Sequence, residues 1–167
     1  DSLIQDGFLV FITFVMIEKQ VSTGLVAFAV AATLSGGICG KFAGGLLAAR
    51  IGVIRSIVLF ELLTAIGIML VFYAPGDIPF FLLPLVGVFL QGSSSITYGT
   101  VSNLVHTNQQ SRGFSIIYTI ANSASFVGPA IFGLIIDSLG FKVMMMIMAT
   151  LVLVTLPLCY LLKSALE

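Results

Sequence analysis

Few side chains in this sequence can hold or move a proton, and their surroundings decide what chemistry is open to them. Asp6 interrupts an apolar run in Gln5-Asp6-Gly7. An ionisable group in such a run is costly unless it serves a cavity, a partner or a proton path. Asp6 is therefore either a coupling group, with Gln5 beside it, or a solvated group near the start of a helix. Glu61 lies about one and a half turns into its own apolar run. It is expected to be a structural partner of Lys41, Arg50 or Arg55. His106, the single histidine, sits beside Thr107-Asn108-Gln109-Gln110 and reads as a solvated loop residue. Two polar stripes recur at three-to-four-residue spacing, which places each on one helix face. One is Gln91, Ser94 or Ser95, Tyr98 and Ser102; the other is Tyr118, Asn122 and Ser125. Hydroxyls and amides at membrane depth can bind a polar or amphipathic solute. Equally, they can join helices at about 1 kcal/mol or less each.

Enzyme signatures are missing. There is no His-Glu-x-x-His for zinc and no Gly-x-Ser-x-Gly elbow. Gly113-Phe114-Ser115-Ile116 has the look of an intramembrane serine protease segment, but the only histidine precedes the serine. No paired intramembrane aspartates suggest an aspartyl protease. No glycine-rich phosphate loop is present, so no ATP-driven step is assigned to this chain. No cofactor or metal is expected. Cys39 and Cys159 sit in apolar runs and read as small buried hydrophobes.

The elements that must position these residues follow from composition. Hydrophobic residues make up 59% of the chain and charged residues 8%, and the mean hydropathy is +1.18. A soluble domain of this size could not hide that much apolar surface, so the chain is read as an integral membrane protein. Seven basic and seven acidic residues cancel, which leaves no basic face for nucleic acid. Charges and turn residues cut six apolar stretches, at about 3–17, 23–49, 56–74, 78–105, 113–136 and 143–162. Continuous runs mean helices, because a membrane barrel would alternate apolar and polar residues. The expectation is all-α, with six transmembrane helices. Arg50, Arg55, Arg112 and Lys163 fall on one set of alternate loops and Lys19 and Lys142 on the other. The positive-inside rule then places both chain ends in the cytoplasm. The chain starts with Asp rather than Met, with no signal peptide visible, so it is read as processed or as a piece of a longer chain.

Gly40, Gly45 and Gly52 have counterparts at Gly128, Gly133 and Gly140, all at an offset of 88. That offset lays the second stretch over the fifth, three helices apart, so the two copies run in opposite directions. This is a 3+3 inverted repeat, about 1–75 and 76–167, as in secondary transporters. Gly36, Gly37, Gly40, Gly44 and Gly45 in one copy, and Gly128 and Gly133 in the other, are expected to let helices approach closely. Pro129 can bend the second copy.

The segment from Gly40-Lys41 through Gly44, Gly45 and Arg50 to Gly52, followed by Arg55, resembles the cytoplasmic loop signature of the major facilitator superfamily. Ala49 stands where that signature carries an acid. The superfamily's motif is usually degraded in its second half, so the resemblance points there. Gly128-Pro129 and then Gly133 resemble its glycine-proline antiporter-type segment. Gly92 through Val101, with Tyr118, looks like drug and small-metabolite efflux members. The resemblance implies the C-terminal six-helix half of a twelve-helix transporter. It implies secondary active transport of a small molecule by alternating access, as proton-coupled efflux, in a bacterial-type plasma (inner) membrane. Its partners would be a small-molecule substrate, membrane lipid and the N-terminal six-helix half. Asp6, Gln91 and Tyr98 would then face one central cavity. A self-sufficient six-helix scaffold or channel subunit that oligomerises is the alternative.

Overall fold

In the computed structural model, residues 1–104, 106 and 109–166 are described, with side chains except for 102–104 and 160–166. The side chains of Ser102 and Lys163, and all of Thr107 and Asn108, lie outside the described residues. Every element is helical among the described residues: α1 (Ser2–Glu18), α2 (Thr23–Val26), α3 (Ala29–Ile51), α4 (Val53–Tyr73), α5 (Ile78–Leu104) and α6 (Gln110–Leu166). Four helices are long and apolar enough to cross a membrane, namely α3, α4, α5 over Ile78–Val101 and α6 over Gln110–Cys159. At 17 residues, α1 falls at the lower edge of spanning length. The fifth and sixth apolar stretches run together in α6, interrupted where Gly140 takes φ 82° and ψ 169°. Six stretches thus become five helices, α1, α3, α4, α5 and α6, because Asp137-Ser138-Leu139 stays helical and only Gly140 breaks the backbone.

Gly52, between α3 and α4, has φ 91° and ψ 155°. That region of backbone space is essentially open only to glycine. Gly52 and Gly140, matched by the 88-residue offset, therefore take nearly the same backbone conformation at two helix junctions.

Packing is densest where glycines line up. In α3, Gly36, Gly40 and Gly44 sit directly against the Pro84, Val88 and Gly92 carbonyls of α5. Both series step by four residues in the same direction, so the helices are parallel. Gly87 of α5 answers by lying on the Thr33 carbonyl. A second parallel contact joins α1 to α6, where Gly128 faces the Leu3 carbonyl, with only 2.9 Å left for a Cβ. Glycine allows these approaches because nothing in lipid drives helices together except close packing and hydrogen bonds. Gly45 differs: it is exposed with nothing near it. Gly133 leaves 3.8 Å to the Phe11 ring, ordinary contact rather than a close approach.

The core fills the space between α1, α4, α5 and α6, with Phe8, Ile12, Phe132, Met144, Met148 and Ile68 fully buried. Large apolar residues such as Phe42, Leu46 and Phe126 are exposed, as expected of surfaces that meet lipid or another bundle. Cys39 is also exposed, contrary to expectation, whereas Cys159 is buried. In lipid both faces of a helix are apolar, so an apolar run does not reveal its inner side. At one end of the bundle two loops are tied together. The Lys19 ammonium donates to the Ala74 carbonyl at 2.8 Å and lies 5.5 Å from the Phe72 ring. The Ser22 amide donates to Asp77 Oδ1 at 3.0 Å. Partial burial there pulls the Lys19 pKa below that of a free lysine, against the raising pull of Glu18.

Candidate functional site

Four helices bring polar groups to one cavity of about 450 Å³. The first turns of α1 supply Ser2, Gln5 and Asp6, and α3 supplies Lys41. From α5 come Ser94, Ser95 and Tyr98, and from α6 come Tyr118, Asn122 and Ser125. The stripe on α6 faces the cavity as a unit because its members are three or four residues apart. Lys41 follows from Gly40: once that glycine is seated on α5, the next residue turns about 100° away from the seam.

The Tyr98 and Tyr118 rings stack, 4.9 Å between centroids and 12° between planes. Ser94 donates to Gln5 Oε1 at 3.0 Å, joining α5 to α1 at the cavity edge. Asn122 Nδ2 donates to the Tyr118 carbonyl one turn back, at 2.8 Å. Asp6 is half-buried and Lys41 exposed, so the lining offers one acid and one base. An apolar cleft of about 270 Å³ adjoins it, sharing Ser94 and Tyr98 and walled by Leu3, Ile117 and Ile120. Charge, amides and a flat aromatic face beside hydrocarbon can hold a small solute with polar and apolar parts.

Gln5, Asp6, Tyr98, Tyr118 and Asn122 thus converge, but Gln91 does not join them. It is buried, and its side chain packs across Gly37 of α3, within 2.7 Å of where a Cβ would stand. Gln91 and Tyr98 share a helix face but lie about 10 Å apart along it, at 1.5 Å per residue. At the level of Gln91 that face is covered by α3; at Tyr98 it is open. Glu61 also departs from expectation. Lys41, Arg50 and Arg55 are exposed, while Glu61 is buried beside Thr155 of α6. Arg50, Gly52 and Arg55 cluster at the α3–α4 junction, with Arg50 in the last turn of α3, where a cation is favoured. Pro129 lies within α6, one residue after the Gly128 contact. His106 is exposed. Lys41 escaped notice as a lining residue, although a lone lysine deep in an apolar helix is itself a signal.

Helices this long and apolar define a polytopic integral membrane protein, here with a polar cavity among its helices. The family model described as Major Facilitator Superfamily matches residues 2–166, so the chain belongs to that superfamily, whose members are transporters rather than enzymes. Its function is membrane transport of a substrate. No curated protein and no solved structure matches the chain.

Proposed function

We propose that this chain is the C-terminal six-helix half of a secondary transporter that exports a small amphipathic molecule by alternating access in exchange for protons. Convergence of Gln5, Asp6, Tyr98, Tyr118 and Asn122 on one cavity carries the reading. Six spans arise if α1 crosses and α6 crosses twice around Gly140. The 3+3 repeat is supported by an exchange of partners. The second helix of the first repeat, α3, packs on the first of the second, α5. The second of the second repeat, residues 110–139, packs on α1. The matched glycines at 52 and 140 agree with it. Rocking against an N-terminal bundle would expose the cavity to each side in turn. Both chain ends then lie in the cytoplasm of a bacterial-type inner membrane, with lipid around the outer helices and no nucleic-acid partner.

Asp6 carries the exchanged proton in this scheme, and Tyr98, Tyr118 and Asn122 hold the solute. The test uses the full-length transporter in inverted membrane vesicles, with a pH-sensitive dye and a panel of amphipathic solutes. Asp6→Asn should abolish solute-driven proton release while solute binding persists. Proton release at the wild-type level in that variant would overturn the assignment of Asp6.

A further inference from the structure

Neither α4 nor the part of α6 after Gly140 lines the polar cavity or the cleft beside it. These two segments run antiparallel. Val53, Ile57 and Glu61 share one space with Thr155 and Cys159, whereas Leu62 to Tyr73 share another with Ala149 and Leu153. The second space is a groove of about 400 Å³. Its floor is small and covered: Ala65 is 5% exposed and Ala149 7%. Ile66, Leu70 and Leu153 stand up around it, each about half exposed. From Leu62 to Tyr73 the groove follows α4 for about 16 Å, at 1.5 Å per residue. That is about the depth of one leaflet, half of a hydrocarbon core about 30 Å thick.

Spread over this length, the volume gives a mean cross-section of about 25 Å². A helix from another chain is about 10 Å across and cannot enter. A single hydrocarbon chain, lying about 4 Å from its neighbours, can. Left empty, the alanine floor would have no atoms to touch and would forfeit those contacts.

The groove ends at Tyr73, the last residue of α4, exposed at 63%. An exposed tyrosine at a helix end suits the membrane–water boundary, with its ring in hydrocarbon and its hydroxyl in the headgroup layer. Lys142 precedes Ala149 by seven residues, nearly two turns, so both lie on one face of α6, about 10 Å apart along it. The antiparallel pairing puts Lys142 toward the Tyr73 end. Other charges there are already engaged. Lys19 donates to the Ala74 carbonyl, and Asp77 accepts from the Ser22 amide. Asp137 lies across the Gly140 break, so helical periodicity does not bring it onto this face. Lys142 is exposed and makes no hydrogen bond or ion pair among the described residues. An ammonium in the headgroup layer above an apolar groove is placed to meet a phosphodiester.

We propose that the groove between α4 and the last part of α6 is a binding site for one membrane glycerophospholipid, with an acyl chain on the Ala65–Ala149 floor and the phosphate at Lys142. The lipid fills a seam between two helices that take no part in the polar cavity. The site does not depend on what that cavity carries.

The test is native mass spectrometry of the full-length transporter in detergent, titrated with dioleoylphosphatidylglycerol and with dioleoylglycerol, which has the same chains and no phosphate. One phospholipid should bind saturably, and dioleoylglycerol should bind at least fivefold more weakly. Lys142→Gln should weaken the phospholipid about fivefold and leave dioleoylglycerol unchanged. Ala149→Leu, which raises the floor, should abolish saturable binding. Phe81→Ala removes an exposed apolar side chain elsewhere and should bind as the wild type does. Equal affinity for the two lipids overturns the proposal, as does unchanged phospholipid affinity in Lys142→Gln or in Ala149→Leu. A wild-type dimer that Ala149→Leu separates also overturns it, since a second copy would then cover the groove. Should Ala149→Leu not fold, the two-lipid contrast and Lys142→Gln, a change at an exposed residue, decide.

Discussion

Adding one methyl group at Gly40 tests the α3–α5 seam most directly. In Gly40→Ala the new Cβ would press on the Val88 carbonyl oxygen and stand 2.8 Å from the Val88 Cα and carbonyl carbon. Ordinary contact begins near 3.4 Å, so α3 and α5 must part by about 0.6 Å, and more to clear the oxygen. These are backbone atoms of a helix, so no rotamer change relieves them. A gap of 0.5–1 Å forfeits about a quarter to a half of each contact along the seam, where a good carbon pair is worth about 0.1–0.2 kcal/mol. Over some tens of pairs the loss reaches about 2–4 kcal/mol, at or above the usual cost of overpacking. Replacing glycine within a helix returns about 0.5–1 kcal/mol. The net expectation is destabilisation by about 1–3 kcal/mol. Gly133→Ala is the internal control, since its Cβ would meet only the Phe11 ring at 3.8 Å. That change should be neutral or stabilising by up to about 1 kcal/mol. Equilibrium unfolding of both variants in mixed micelles gives the comparison. If the two agree within about 0.5 kcal/mol, the argument that backbone contact fixes this seam is wrong.

Gly52→Ala and Gly140→Ala should each cost about 1–3 kcal/mol in the same unfolding assay, because both force a side chain into backbone space reserved for glycine. Comparable losses at the two sites are expected, and a neutral result at either would contradict the backbone geometry. Tyr98→Ala and Tyr118→Ala should each weaken solute binding, and the double variant should lose less than the two together by about 0.5–1.5 kcal/mol. Strict additivity in that cycle would mean that the stacked pair does not act as one surface. For topology, single cysteines at Asp77 and Arg50, in a background with Cys39 and Cys159 replaced, should react with an impermeant thiol reagent from opposite sides of intact cells. Labelling from the same side would refute the proposed orientation.

The sequence disclosed the helices through long apolar runs, and the special glycines through their matched spacing. Gly52 and Gly140 could be paired before any backbone angle was known, since a residue type that only one conformation requires leaves a readable mark. Gln5, Asp6, Tyr98, Tyr118 and Asn122 could be singled out one by one, because polar residues are rare at membrane depth, but not which of them share a cavity. Depth along a helix was not legible. Gln91 shares the face of Tyr98, and only the crossing of α3 over α5 separates their surroundings. Nor was the inner face of α3 legible at Cys39 or Gly45, because lipid and core ask for the same kinds of residue. Glu61 was assigned a basic partner by proximity along the chain, but the α4–α6 contact sets its neighbour instead.

The four-residue steps on both sides of the α3–α5 seam act as a rack with teeth. Gly36, Gly40 and Gly44 are the notches, and the carbonyls of residues 84, 88 and 92 are what they receive. Sliding one helix by a single residue would bring Gly37, which now holds the Gln91 side chain, toward those carbonyls and turn the notches aside. The next register that restores notch to carbonyl is four residues away, about 6 Å at 1.5 Å per residue. Small creeping displacements along this seam are therefore blocked, and motion of the bundle must either carry α3 and α5 together as one beam or jump a whole tooth.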